Sequence, residues 1–74
     1  MIIRKLSIGN DYKSSMHYIA GQSVLGGNYK IHLIDYSHES NSYKIFLEKD
    51  DEVFLWKEFN ANMPVSIEYN MDFI

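Results

Sequence analysis

Between Tyr29 and Phe59 apolar and polar residues alternate in three successive runs, and this pattern restricts the chain more than any other feature. Tyr29, Ile31 and Leu33 alternate with Lys30 and His32, and Tyr43, Ile45 and Leu47 with Lys44 and Glu48. Val53 and Leu55 then alternate with Glu52, Lys57 and Glu58. A strand sends successive side chains to opposite faces, so each run reads as a strand with one face toward a core. Turn-forming stretches separate them: polar Ser37–Ser42, and the tight acidic Lys49-Asp50-Asp51. The three runs predict an antiparallel meander.

The flanks add shorter strands. Ile2–Ile8 is β-branched and partly alternating, ended by Gly9-Asn10; its Arg4-Lys5 pair suits an edge position. For 11–20 the reading is one helical turn or a loop to about Ser15, then extended chain through Met16-His17-Tyr18-Ile19. The competing reading is a short helix capped by Asn10 or Asp11, with Tyr12, Met16 and Ile19 as its apolar stripe. Val24-Leu25 is a short strand, and Gly26-Gly27 supplies the positive φ of a hairpin into Tyr29. Gly21-x-x-x-x-Gly26 has phosphate-loop spacing, but Gly27-Asn28 replaces the required Lys-Ser/Thr and a strand follows where a helix is needed. Asn60-Ala61-Asn62-Met63-Pro64 makes a turn. Val65, Ile67, Tyr69, Met71 and Phe73 then alternate cleanly with polar residues, which places this strand inside a sheet.

Five or six short strands in 74 residues give a single mainly β domain over 1–74. A partly open SH3-like barrel is the first expectation. A twisted sheet with a short N-terminal helix, completed by oligomerisation, is the second. A domain this small buries only about 60% of its unfolded surface. With no cysteine for a disulfide, association of copies is the remaining route to extra stability. A homo-oligomer is therefore expected.

Charge and motif content narrow the function. The net charge is −3 and the seven basic residues are scattered, which argues against a nucleic-acid partner. Charge follows Met1-Ile2-Ile3 at once, so neither a signal segment nor a membrane span is expected, and a cytoplasmic location is. His17, His32 and His38 lie in separate segments without the i, i+4 spacing of a zinc site. Asp50-Asp51-Glu52 lacks the alternating oxygen ligands of a calcium loop and reads as turn chemistry. No nucleophile elbow surrounds Ser14, Ser15, Ser23 or Ser66. The expectation is a protein that is not an enzyme and holds neither cofactor nor metal.

The aromatic residues point to binding. Strict alternation puts Ile34, Tyr36, Phe46, Phe54 and Trp56 on the face opposite Ile31, Leu33, Ile45 and Leu47. Either the N-terminal segment covers that second face, making it core, or it is an interaction surface. Lys30, Lys44 and Lys57 near such a floor, with His32 on the polar side, would suit an anionic ring system such as a nucleotide. The candidate binding residues are therefore Tyr36, Phe46, Phe54, Trp56, Lys30, Lys44, Lys57 and His32.

Gly9-Asn10-Asp11-Tyr12-Lys13, Met16–Gln22, Trp56-Lys57-Glu58-Phe59 and Met63–Asn70 together resemble the small accessory proteins of T4-like tailed bacteriophages. The resemblance is one of style over most of the chain: short, acidic, cysteine-free and rich in Tyr and Asn. No functional motif maps residue by residue. It implies an early product that inhibits or modulates a host protein or defence system by stoichiometric binding in the host cytoplasm. The alternative it implies is a homo-oligomer that sequesters a cyclic-nucleotide signal.

Overall fold

The computed structural model describes residues 3–11, 13–62 and 65–69, with only the Ile67 side chain in the last segment. The described strands are β1 (Ile3–Ile8), β2 (Met16–Ile19), β3 (Ser23–Val24), β4 (Tyr29–Ser37), β5 (Ser42–Lys49), β6 (Glu52–Asn60) and β7 (Val65–Tyr69). All pairings are antiparallel, in a three-stranded sheet ordered β2-β1-β7 and a four-stranded sheet ordered β3-β4-β5-β6. The second sheet is the expected meander, curled strongly into a half-barrel.

A sharp corner joins the sheets. The Ala20 amide donates to Arg4 O at 2.9 Å, whereas the next amide, Gly21, donates to Ile31 O at 2.8 Å. Gly21, at φ 88°, lets the chain leave β1 and reach β4 within one residue. The strands thus run β7-β1-β2/β3-β4-β5-β6 around a small barrel, and no pairing joins β6 to β7 among the described residues. A mainly β, partly open barrel is the result.

The core lies between the sheets: Ile3, Leu6 and Ile8 of β1, Tyr18 of β2, Ile31 and Ile34 of β4, and Ile45 and Leu47 of β5. Several local expectations change. β1 is the centre of its sheet, because a bulge at Arg4 lets the strand bury Ile3, Leu6 and Ile8 while Arg4 stays exposed. Among the described residues β7 pairs with β1 only, which puts Val65–Tyr69 at the edge of that sheet. Met63-Pro64, Met71 and Phe73 lie outside the described residues.

No helix occurs among the described residues. Residues 13–15 form a turn organised by Asp11, whose Oδ1 accepts the Lys13 amide at 3.0 Å and whose carbonyl accepts the Ser15 hydroxyl. Those bonds, and the pairing of Met16 with Ile8, close a hairpin before a helix can develop. Tyr12 of the expected apolar stripe is outside the described residues. Leu25 belongs to the turn and not to β3, with φ 53° beside Gly26 at 72° and Gly27 at 87°. In the acidic hairpin Asp50 and Asp51 both take positive φ, 50° and 70°, the backbone of a two-residue turn whose twist matches its strands.

Candidate functional site

β5 is the ruler of the half-barrel, because it runs without a bulge between two strands that each contain one. β4 shifts register between Ile31 and Leu33, opposite Leu47 and Phe46, leaving His32 as the extra residue. β6 shifts opposite Ile45 and Phe46, where Lys57 is followed in register by Leu55. Each extra residue reverses the in-and-out phase of the chain beyond it.

The faces therefore sort differently from strict alternation. Toward the core stand Ile31 and Leu47, then Ile34 and Ile45, then Tyr36, Tyr43 and Phe59; Phe54 shares the register of Leu47 but remains exposed. Trp56 packs on this side too, with Tyr18 of the other sheet 5.9 Å away at 84° and Phe59 also against Tyr18. Phe54 meets Tyr29 edge-on at the open end, under the Lys49 ammonium, which lies 5.0 Å from the Tyr29 centroid. Tyr36 is held by Tyr43, His38 and a hydrogen bond from its hydroxyl to Asn41 Oδ1.

The outer face carries four cross-strand rows. Lys30, Glu48 and Val53 form the first, Leu33, Phe46 and Leu55 the second, Asp35, Lys44 and Glu58 the third, and Ser37, Ser42 and Asn60 the fourth. The second row is apolar across all three strands, yet Leu33 is 39% and Leu55 46% exposed, and neighbouring Val53 is 51% exposed. Charges border it on both sides. His32 leans over this face, its Nδ1 3.3 Å from Glu48 Oε1. Both groups are exposed, so the pair is worth about 0–1 kcal/mol.

Of the eight candidate residues, Phe46, Lys30, Lys44 and His32 gather on the outer face. Tyr36 and Trp56 turn to the core side instead, Phe54 stands against Tyr29 while 42% exposed, and Lys57 lies over the Trp56 ring. The single aromatic face is thus divided, by the β4 bulge for Ile34 and Tyr36 and by the β5–β6 register for Phe54 and Trp56, with Phe46 alone of the five in the outer rows. Leu33, Val53 and Leu55 are the site residues that strict alternation assigned to the wrong side. Their signal was present in the adjacent apolar pairs Leu33-Ile34 and Leu55-Trp56, where alternation breaks.

Trp56 also loses the open setting that stacking would use. Lys57 Nζ lies over its ring at 4.9 Å from the centroid, and Tyr18 fills its core side. Among the described residues no three His, Asp or Glu side chains assemble as a metal site.

One polar cluster anchors the outer face at its lower end. Buried Ser42 donates its hydroxyl to Glu58 Oε2, and the Ser40 and Ser42 hydroxyls are 2.7 Å apart. The Ser42 bond, helped by the nearby charge of Lys44 and by Ser40, holds the Glu58 carboxyl below its usual value despite slight desolvation. A carboxyl lowered in the folded state contributes stability above its unfolded pKa of about 4.5, and that contribution disappears as pH falls through the folded value. Thermal melts of the wild type should therefore fall on acidification below that point, and Glu58→Gln should fall less steeply in the same window. Parallel slopes would show that the Ser42–Glu58 bond is not coupled to folding.

Comparison of the chain with protein-family models, with curated proteins and with solved structures returns no match.

Proposed function

We propose that the chain is a non-catalytic binding protein that docks a protein partner on the outer face of β4, β5 and β6. One observation carries this reading: the apolar Leu33–Phe46–Leu55 row, in which Phe46 is half-buried between exposed Leu33 and Leu55 and which exposed Val53 continues, lies on the face turned away from the buried core cluster. Exposed apolar area is expensive to leave in water, and a contiguous patch rimmed by charge is the usual form of a protein-docking surface. Lys30, Lys44, Asp35 and Glu48 supply the polar rim. The resemblance to small phage accessory proteins supports a stoichiometric inhibitor or modulator of a host protein as the form this docking takes. No feature of Trp56 favours the nucleotide alternative.

The test compares wild type with Phe46→Ser, both immobilised after their circular dichroism spectra and melting curves are matched. Proteins held by the wild type from a bacterial lysate should be released in the variant, because truncating a central aromatic anchor costs about 2 kcal/mol or more of binding. The activity of a released target should fall to its limit at one equivalent of wild type. A variant that holds the same proteins as strongly would place the docking surface elsewhere.

A further inference from the structure

The outer face is complementary to itself in one orientation only, and from this we infer that it docks a second copy of the chain about a two-fold axis running across the strands. The inference rests on the docking reading above and adds to it: a second copy occupies the face when no other protein holds it, so self-association and capture of a target compete. Its basis is the order of charges around the apolar row. Going from β4 to β6, the row on one side reads Lys30, Glu48, Val53, and the row on the other side reads Asp35, Lys44, Glu58. The signs run plus, minus, neutral on the first and minus, plus, minus on the second.

Two sheets packed face to face can be related by a two-fold axis lying in the interface, either across the strands or along them. With the axis across the strands, through Leu33, Phe46 and Leu55, the apolar row stacks on its own copy and the two charged rows exchange places. Lys30 then faces the partner's Asp35, and Glu48 faces the partner's Lys44. By symmetry each of these pairs occurs twice. With the axis along β5, Glu48 would face the partner's Glu48, Lys44 the partner's Lys44, and Asp35 the partner's Glu58. Three like-charge juxtapositions oppose that arrangement, and like charges across an interface are what suppresses a wrong register.

The footprint is small. Three strands and three rows cover about 300 Å² per copy at ordinary sheet spacings, and the convex curl keeps the contact to those rows. Such an interface belongs with weak, transient complexes. The dimer should accordingly be concentration-dependent, forming in the micromolar range, and its association should weaken with salt because the rim pairs are exposed.

Sedimentation equilibrium over a concentration series up to the high-micromolar range tests both the partner and the orientation. Wild type should move from monomer to dimer. Lys30→Glu sets two carboxylates against the partner's Asp35, and Asp35→Lys sets two ammonium groups against the partner's Lys30. Each variant alone should dimerise on the order of tenfold more weakly. An equimolar mixture of the two restores opposite charges at both symmetric pairs, and should dimerise within about threefold of wild type. Any disturbance within a single chain persists in the mixture, so only contact between copies explains recovery. Both substitutions are at exposed positions, and matched melting curves check that the fold is kept. A mixture as weak as its components would overturn the orientation. A wild type monomeric at every concentration would overturn self-docking, while Phe46-dependent capture of another protein would leave the docking reading intact.

Discussion

Ile45→Ala is expected to destabilise the fold by about 2–5 kcal/mol, the range for truncating a fully buried aliphatic side chain. Ile45 is 0% exposed at the middle of β5, with Ile34 opposite it on β4 and the β6 bulge on its other flank. It belongs to the same buried cluster as Leu6 and Tyr18 of the three-stranded sheet. A 74-residue domain has a total stability of roughly 4–11 kcal/mol at typical values per residue. The substitution removes a large share of that. Urea denaturation followed by circular dichroism should show a much lower midpoint with little change in slope.

The adjacent residue should behave oppositely. Phe46 stands half-buried on the outer face, outside the buried core cluster of the described residues, so Phe46→Ser should cost about 1–2 kcal/mol, less than Ile45→Ala, while abolishing association. Neighbouring positions on one strand would then separate stability from binding. If the midpoint of Phe46→Ser fell as far as that of Ile45→Ala, the assignment of faces to β5 would be wrong.

Gly9→Ala is expected to be the second most damaging single change, although it adds only a methyl group. Gly9 has φ 144°, a conformation that L side chains rarely adopt. A Cβ there would lie 2.9 Å from the Ser15 Cα as well as against the Ser15 hydroxyl. The hydroxyl cannot simply swing away, since it is bonded to the Asp11 carbonyl, and the Cα is backbone. Backbone strain and overpacking each cost about 1–3 kcal/mol. The loop between β1 and β2 would have to open, loosening the pairing of Ile8 with Met16 that begins the hairpin.

Gly27→Ala provides the comparison. Gly27 also has positive φ, 87°, but nothing lies within 4 Å of a Cβ built there, so only the left-handed penalty of about 1–2 kcal/mol applies. For a domain of this size each kcal/mol shifts the melting temperature by about 4–8 °C. Gly9→Ala should therefore melt clearly below Gly27→Ala. Equal melting temperatures would mean that the Gly9 loop relaxes without cost.

Periodicity alone was sufficient to place the strands of the meander, because the alternation of Tyr29–Leu33 and of Tyr43–Leu47 depends only on each segment having a wet side and a dry side. Turn chemistry was equally local: Asp50-Asp51 and Gly26-Gly27 adopt the positive φ that short hairpins demand, as their residue types allow.

Which side chains share a face was decided by tertiary structure. In a strand a one-residue insertion exchanges the two faces, and the bulges at His32 and near Trp56 do so in both neighbours of β5. The first turns Ile34 and Tyr36 inward and Leu33 outward, and the second turns Phe59 inward and Glu58 outward; Leu55 lies beside Phe46 outside because β6 pairs with β5 in the register that sets Phe54 against Leu47. A bulge forms when cross-strand register and core packing together favour it, and both depend on residues far apart in the chain. The same holds for β1, whose adjacent charges suggested an edge but whose Ile3, Leu6 and Ile8 are needed at the centre. Local pattern determines that a segment is a strand; the shape of the core it must fill determines which way each residue points, and hence which row is left facing water.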